Sequence, residues 1–227
     1  MKPLDVITRR HNQKQPWTYG QLDALQREVA DRVRNGGPGA LILSEVAPII
    51  TVGRRTPSSD LPRAPSGSVV ETLQVSRGGL ATYHGPGQWV AFAVDRLENL
   101  VDDPRGVRKM VCALLAAAAE VGRLYRQDVR VGEGEELGVW SAQGKFAAVG
   151  IHISDGIVQH GLSLNGFRTE TSFRGLRPCG LDRPVDYLLE PLATEERLVQ
   201  LGELLRSALL RQFSNEGQQL PRVSQPA

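Results

Sequence analysis

Three short segments of this 227-residue chain contain side chains that can carry out group-transfer chemistry. The first extends from Arg77 to Gln88 and sets five glycines or prolines among threonine, tyrosine and histidine. The second is Lys145, at the start of an apolar stretch typical of a strand. The third is Cys179, between a proline and a glycine. A deprotonated cysteine is a nucleophile and a desolvated lysine can exchange protons near neutral pH, so these residue types allow covalent catalysis.

Each segment also has an ordinary structural interpretation. The glycine-rich segment could be a plain surface turn. It is not a phosphate loop, because no Gly-Lys-Ser/Thr follows, nor a dinucleotide-binding loop, because Pro86 and a strand-like stretch replace the expected helix. Most lysines are solvated surface charges, and most loop cysteines are inert. The second cysteine, Cys112, lies in an alanine-rich helical stretch and is expected to be a small core residue.

A β-hairpin is predicted in the middle of the chain. Residues 145–154 and 157–165 flank Asp155-Gly156, a dipeptide that favours two-residue type I′ turns. With that turn, Gly150 lies opposite Gly161. The pairing leaves a spot without side chains, where a ligand can approach the backbone closely.

The same register gives the hairpin one apolar face, on which Val149 lies opposite Leu162. Lys145 and His160 fall on this otherwise apolar face. We therefore expect Lys145 to be partly desolvated. We expect His160 to be a core histidine whose hydrogen bond goes to a backbone carbonyl.

Helices and further strands surround the hairpin. The first predicted helix begins at Thr18, with Gln21 at the capping-box position, and ends at Arg34. The remaining predictions are strands at Leu41–Glu45, Ile49–Val52 and Val69–Val75, an exposed loop at Arg55–Ser68, and helices from Asp103 to Tyr125 and from Thr194 onward, the last with Leu198, Leu201, Leu205 and Leu209 on one side.

Composition excludes several classes of protein. The net charge is +2, a weaker basic bias than nucleic-acid binders usually show. The longest apolar run extends from Met110 to Ala119, about half of a membrane span, and the first residues have no apolar signal region. Two cysteines and four histidines cannot form a Cys₄ or Cys₂His₂ zinc site. We expect a cytoplasmic protein with no membrane or nucleic-acid partner.

Four motifs in order, RGG-x-x-TYHGPGQ, GK-x-AA-x-G, HG-x-x-LN and PCG, resemble those of the lipoate-biosynthesis octanoyltransferases. The resemblance covers about Leu41 to Leu189. It implies an α+β fold, a mixed β-sheet flanked by helices as in the biotin/lipoate protein ligases. It also implies one catalytic acyltransferase domain, which we place at residues 1–213, and the polar composition of residues 214–227 predicts a flexible tail after it.

The implied activity is transfer of an octanoyl group from octanoyl-acyl carrier protein to a specific lysine of a lipoyl domain, through a thioester on a cysteine. The acceptors would be the lipoyl domains of 2-oxoacid dehydrogenases and the glycine cleavage H protein, with no cofactor and no metal. Cys179 matches the family's nucleophile and Lys145 its partner lysine. The residues matching the substrate-binding segments are Arg77, Gly78, Gly79, Leu80, Ala81, Thr82, Tyr83, His84, Ala148, Val149, Gly150, Gly161, Leu162 and Ser163.

Four positions depart from the family pattern. A histidine is missing from the Glu45-Val46-Ala47-Pro48 stretch, and Leu80, Phe146 and Arg177 replace the usual glutamine, isoleucine and asparagine. Three alternatives share the fold: an ATP-dependent lipoate or biotin ligase, a lipoyl amidotransferase, and a non-catalytic module that binds acyl carrier protein.

Overall fold

The structure is a computed structural model that describes residues 4–12, 14–57, 71–173, 184–191 and 193–214. The strands are β1 Asp5–Arg10, β2 Ala40–Glu45, β3 Ile49–Val52, β4 Glu71–Gln74, β5 Thr82–His84, β6 Gln88–Val94, β7 Arg130–Gly132, β8 Gly138–Ser141, β9 Gly144–Ser154 and β10 Ile157–Asn165. The helices are α1 Tyr19–Arg34, α2 Leu97–Val101, α3 Val107–Gly122 and α4 Glu195–Phe213, with a 3₁₀ turn at Gly134–Glu136.

Two mixed sheets form the centre of the fold. The larger one has the strand order β1-β2-β6-β10-β9-β8-β7, in which only β1 and β2 are parallel neighbours. The smaller one has the order β4-β3-β5, with β3 parallel to β4 and antiparallel to β5. The expected α+β architecture, a mixed sheet flanked by helices, is confirmed.

Helices cover both faces of the large sheet. Alternate residues of its central strands pack with α3 and α4 into one apolar core, and Leu198, Leu201, Leu205 and Leu209 of α4 are fully buried there, as predicted. The residues of the opposite face pack with α1 into a second core that also contains Ile49 of β3. The small sheet therefore lies on the α1 side of the large one.

The first helix begins as its sequence predicts. The backbone N–H of Gln21 donates to the Thr18 hydroxyl, and the Gln21 side-chain oxygen accepts from the Thr18 N–H at 2.8 Å, so the capping box is complete. This cap fixes the position of Tyr19, the first helical residue, which turns out to line the candidate site.

The second predicted helix begins later than expected. The Asp103 carboxylate and carbonyl accept from the N–H groups of Arg105 and Gly106, which closes a local turn in place of a first helical turn. Helix α3 therefore starts at Val107 instead of Asp103 and ends at Gly122 instead of Tyr125. The short helix α2, which precedes this turn, was not predicted.

The strand predictions hold where the structure describes the chain. The strands at Leu41–Glu45 and Ile49–Val52 are confirmed, and Glu71–Gln74 confirms the described part of the third. Most of the predicted exposed loop, from residue 58 to 68, lies outside the described residues. No helix among the described ranges has both the length and the apolar character that a membrane span requires.

Candidate functional site

The glycine-rich segment and the centre of the β9–β10 hairpin meet at one open cleft. Its lining contains eleven of the predicted substrate-binding residues: Arg77, Gly79, Leu80, Thr82, His84, Ala148, Val149, Gly150, Gly161, Leu162 and Ser163. The other three predicted residues, Gly78, Ala81 and Tyr83, do not line it. The interpretation of the glycine-rich segment as a surface turn is wrong, because Thr82–His84 form the buried strand β5 and most of the residues around them are buried too.

A buried guanidinium holds the glycine-rich segment in place. Arg77 donates from Nη1 to the carbonyls of Gly78 and Leu80, and from Nη2 to the carbonyl of Thr51 at 2.7 Å. The Gly78 N–H in turn donates to the carbonyl of Ile151 in β9. These bonds tie the segment both to the small sheet and to the hairpin, and so close one side of the cleft.

The predicted hairpin register is confirmed, with Gly150 opposite Gly161. Glycine is required at both positions, because neighbouring backbone lies too close to leave room for a side chain. A Cβ on Gly161 would lie 2.1 Å from the Ala91 carbonyl oxygen, and one on Gly150 would lie 2.9 Å from the Gly78 carbonyl oxygen. Neighbouring backbone therefore fills the spot where we expected a ligand, although both glycines still line the cleft.

His84 has one partnered and one unpartnered ring nitrogen among the described residues. Its Nδ1 lies 2.7 Å from the Gln88 side-chain oxygen, whereas its Nε2 is buried without a hydrogen-bond partner. Burial, together with the positive charge of Arg77, lowers the pKa of His84 to about 3. The ring stacks on Tyr19, whose pKa burial raises. A neutral imidazole and a neutral phenol therefore face the cleft at neutral pH.

His160 lies on the opposite face from the one predicted. Its φ of 59° takes the backbone out of the extended region, and its side chain packs among Tyr19, Gln26 and Ser76 instead of the apolar face of the hairpin. Nε2 lies 3.0 Å from the Ser76 hydroxyl, and the backbone N–H donates to the Gln26 side-chain oxygen. His160 is a satisfied buried histidine, as expected, but its partners are side chains.

Stability should fall below pH 6.5, because burial also lowers the pKa of His160, to about 4. As the pH falls through about 6.5, the unfolded chain takes up a proton at His84 and another at His160. The folded protein takes up these protons only at about pH 3 for His84 and about pH 4 for His160. Each histidine should therefore lower the free energy of unfolding by up to about 1.4 kcal/mol for every pH unit below about 6.5. Urea unfolding between pH 7.5 and 5.0 measures the slope. His160→Gln should make the dependence of the unfolding free energy on pH shallower. An unchanged slope would contradict the lowered pKa of His160.

Lys145 is buried, so the interpretation as a solvated surface charge is wrong. Its Nζ donates to the Leu137 carbonyl at 2.9 Å and lies 4.8 Å from the centroid of the Trp140 ring. These contacts hold the ammonium in one position, with one donor bond and one cation–π contact. Lys145 does not itself line the cleft.

The chain that follows Cys179 returns to Lys145. The Lys145 N–H donates to the Pro184 carbonyl, and the Asp186 N–H donates to the Lys145 carbonyl. The Asp186 carboxylate is buried and accepts from Arg126 and from the Ser141 hydroxyl. Cys179 itself lies outside the described residues.

Cys112 is exposed on α3, so the prediction of a small core residue is wrong. The helix buries Met110, Ala113 and Leu114, and position 112 falls on the side that faces away from them. The alanine-rich surroundings suggested a core position for Cys112, whereas this side of the helix contacts solvent.

A buried carboxylate supports the turn after β5. Glu45 accepts from the N–H of Gly87 at 2.9 Å and forms an ion pair with Arg10. The Gly87 carbonyl then accepts from the N–H groups of Gly166 and Phe167. Although the family's histidine is missing from this stretch, Glu45 still fixes the turn next to His84.

Three lining residues were not predicted: Tyr19, Val90 and Phe92. Val90 and Phe92 belong to the continuous apolar run of β6, in which every residue is buried. Such a run gives no sign of which residues face a cleft. Tyr19 reaches the cleft only because α1 packs across the sheet.

Comparison with known proteins places this fold and cleft in a family. The model of the lipoyl protein ligase A/B catalytic domain matches residues 19–209. An octanoyltransferase from Rhodococcus opacus is 36% identical over 85% of this chain and 77% of its own length. One from Magnetococcus marinus is 33% identical over 82% of this chain and 88% of its own length.

Solved structures show the same fold at low identity. A bipartite lipoate protein ligase from Thermoplasma acidophilum superimposes with a TM-score of 0.57 at 15% identity, over 94% of this chain and 84% of its own. A biotin protein ligase from Leishmania major, solved with biotinyl-5-AMP, gives 0.54 at 12%, over 97% of this chain and 78% of its own. Together with the sequence matches, these likenesses identify the chain as a member of the lipoyl protein ligase A/B catalytic-domain family, in which its relatives are octanoyltransferases.

Proposed function

We propose that this protein transfers an octanoyl group from the thioester of octanoyl-acyl carrier protein to a lysine side chain of a lipoyl domain, the first step of endogenous protein lipoylation. The observation that carries the proposal is the cleft, which the glycine-rich segment and the two hairpin triplets line together. Relatives that are 33–36% identical over most of the chain are octanoyltransferases, which supports the same acyl group here.

The cleft has the chemistry that an octanoyl chain requires. Leu80, Val90, Phe92, Val149 and Leu162 give it an apolar lining. Leu80 stands where the family usually has glutamine, which makes this wall more apolar. The polar groups are few and include Thr82, His84 and Ser163.

The proposed reaction has two steps and passes through a thioester on Cys179. In the first step the Cys179 thiolate attacks the carbonyl carbon of the donor thioester, a new C–S bond forms, and the C–S bond to the carrier breaks; the carrier's sulfur takes the proton of the Lys145 ammonium and leaves as a thiol, so that Lys145 becomes an amine. In the second step the neutral amine of the lipoyl-domain lysine attacks the same carbon, the C–N bond forms, and the Cys179 sulfur leaves. The proton that the amine loses is returned to the sulfur, so the net products are an amide and a thiol.

Lys145 is proposed to assist both steps. Its ammonium would stabilise the Cys179 thiolate before the first step, and its amine would accept the proton of the attacking lysine in the second. The contacts with Leu137 and Trp140, and the backbone bonds to Pro184 and Asp186, support this role because they fix Lys145 next to the chain that leads back to Cys179.

The acceptors proposed are the lipoyl domains of 2-oxoacid dehydrogenases and the glycine cleavage H protein. A solved structure of the same fold is described as a lipoate protein ligase with its E2 lipoyl domain, which supports an acceptor of this kind. Because a thioester already carries the activated acyl group, the reaction needs no ATP. An ATP-dependent ligase would instead activate a free acid.

Intact-mass spectrometry after mixing the protein with octanoyl-acyl carrier protein, without ATP, tests the proposal. We expect the protein to gain the mass of one octanoyl group and to lose it when a lipoyl domain is added, as that domain gains the same mass. Octanoylation of the lipoyl domain only from free octanoate and ATP would favour a ligase. Transfer only from an already lipoylated protein would favour an amidotransferase. Binding of the carrier without a mass change would favour the non-catalytic module.

A further inference from the structure

His84 has features that point to a role in binding substrate, and this role rests on the proposed function only for the identity of the substrate. The side chain is 5% exposed, lines the cleft, and has one ring nitrogen without a hydrogen-bond partner among the described residues. A buried polar atom without a partner costs free energy, and a ligand atom that enters the cleft lined by His84 could remove that cost by bonding to this nitrogen.

A chain of amide hydrogen bonds determines which ring nitrogen of His84 carries the proton. The Asn165 side-chain nitrogen donates to the Asp186 carbonyl at 3.1 Å, which turns its oxygen towards Gln88. The Gln88 side-chain nitrogen donates to that oxygen at 2.9 Å, which turns its own oxygen towards Nδ1 of His84. Because this oxygen can only accept, Nδ1 must carry the hydrogen.

The neutral imidazole then has a lone pair, and no proton, on the nitrogen without a partner. A thioester carbonyl or its oxyanion is also an acceptor, so this form of His84 cannot stabilise either of them. The complementary group is a donor. We propose that Nε2 of His84 accepts a hydrogen bond from an N–H group of the substrate and thereby positions it in the cleft.

Two N–H groups of the substrates come close to the acyl carbon during the proposed reaction. One is the amide N–H in the thiol arm of the carrier, close to the sulfur, and the other is the amine of the attacking lysine. The Asn165 side-chain nitrogen also lies 3.4 Å from the carbonyl of Lys145, so the hydrogen bonds that orient His84 end on the backbone of the proposed catalytic lysine. Because these hydrogen bonds connect His84 with the backbone of Lys145, either of the two N–H groups is a candidate partner for Nε2.

The first test measures binding without turnover. N-methyloctanamide and methyl octanoate differ in one group, N–H in the amide and oxygen in the ester. Calorimetry should show the wild-type protein binding the amide about three- to tenfold more tightly, the usual worth of one hydrogen bond. His84→Phe, which keeps a ring against Tyr19, and His84→Asn, which keeps only the Nδ1 side, should lose this preference. His84→Gln, which can place an oxygen near the Nε2 position, should keep it.

The second test identifies the source of the N–H. If His84→Phe slows acylation by octanoyl-pantetheine but not by octanoyl-ethanethiol, which has no amide, the carrier's thiol arm is the partner. If it slows instead the transfer from the acyl-enzyme to the lipoyl domain, the lysine amine is the partner. An effect on neither step would overturn the proposal.

Two results of the binding experiment would also overturn it. One is an equal loss of amide and ester affinity in His84→Phe, which would indicate a purely structural role. The other is a ¹⁵N spectrum in which Nε2 instead of Nδ1 carries the hydrogen. Neither the calorimetry nor the ¹⁵N spectrum requires acyl transfer. Failure of the proposed His84 contact therefore appears in these two measurements, whereas failure of the proposed octanoyl transfer appears in the intact-mass experiment.

Discussion

Cys179→Ala should form no octanoyl-enzyme and should transfer no octanoyl group to a lipoyl domain, whereas Cys112→Ala should do both at the wild-type rate. In the proposed mechanism the acyl group is attached to the Cys179 sulfur, so alanine removes the atom that forms the catalytic thioester. Intact-mass spectrometry detects the adduct, and peptide mapping identifies the residue that carries it.

The exposure of Cys112 makes this pair of variants necessary. A solvent-exposed thiol can react slowly with any thioester, and Cys112 is such a thiol. All measurements on Cys179 therefore belong in a Cys112→Ala background, where one cysteine remains. An octanoyl adduct on Cys112 that passes to the lipoyl domain, or transfer that persists in Cys179→Ala, would overturn the assignment.

The cleft could be predicted because local sequence determines the geometry of the hairpin. Asp155-Gly156 fixes a two-residue turn, and the register that it sets brings Gly150 opposite Gly161. The match of the glycine-rich segment to the family then indicated which part of the chain lies against this pair. Eleven of the fourteen predicted substrate-binding residues line one cleft for this reason.

What could not be predicted depends on contacts between distant parts of the chain. Alternation along β10 puts His160 on the apolar face, but Tyr19, Gln26 and Ser76 hold it on the other with a positive φ. A positive φ at a histidine has no sequence signal comparable to a glycine. The orientation of Lys145 over Trp140 likewise depends on the pairing of β8 with β9, which no turn dipeptide indicated.

Lys145→Met should raise the pH at which iodoacetamide modifies Cys179 by about one to two units. An ammonium near a thiolate is worth a few kcal/mol at an intermediate dielectric, and about 1.4 kcal/mol corresponds to one pH unit. Methionine keeps the length of the side chain but removes the charge. Lys109→Met, on an exposed lysine of α3, is the matched control and should leave the midpoint unchanged.

Lys145→Arg separates the two roles proposed for this lysine. The guanidinium keeps the positive charge, so much of the shift in the alkylation midpoint should survive. It cannot release a proton at neutral pH, so it cannot act as a base towards the attacking amine, and transfer to the lipoyl domain should still be lost. The variant should therefore accumulate octanoyl-enzyme that the lipoyl domain does not discharge. Equal alkylation midpoints in the wild type and Lys145→Met would instead mean that the Lys145 ammonium does not stabilise the Cys179 thiolate. Its role would then be structural, through its contacts with Trp140 and Leu137.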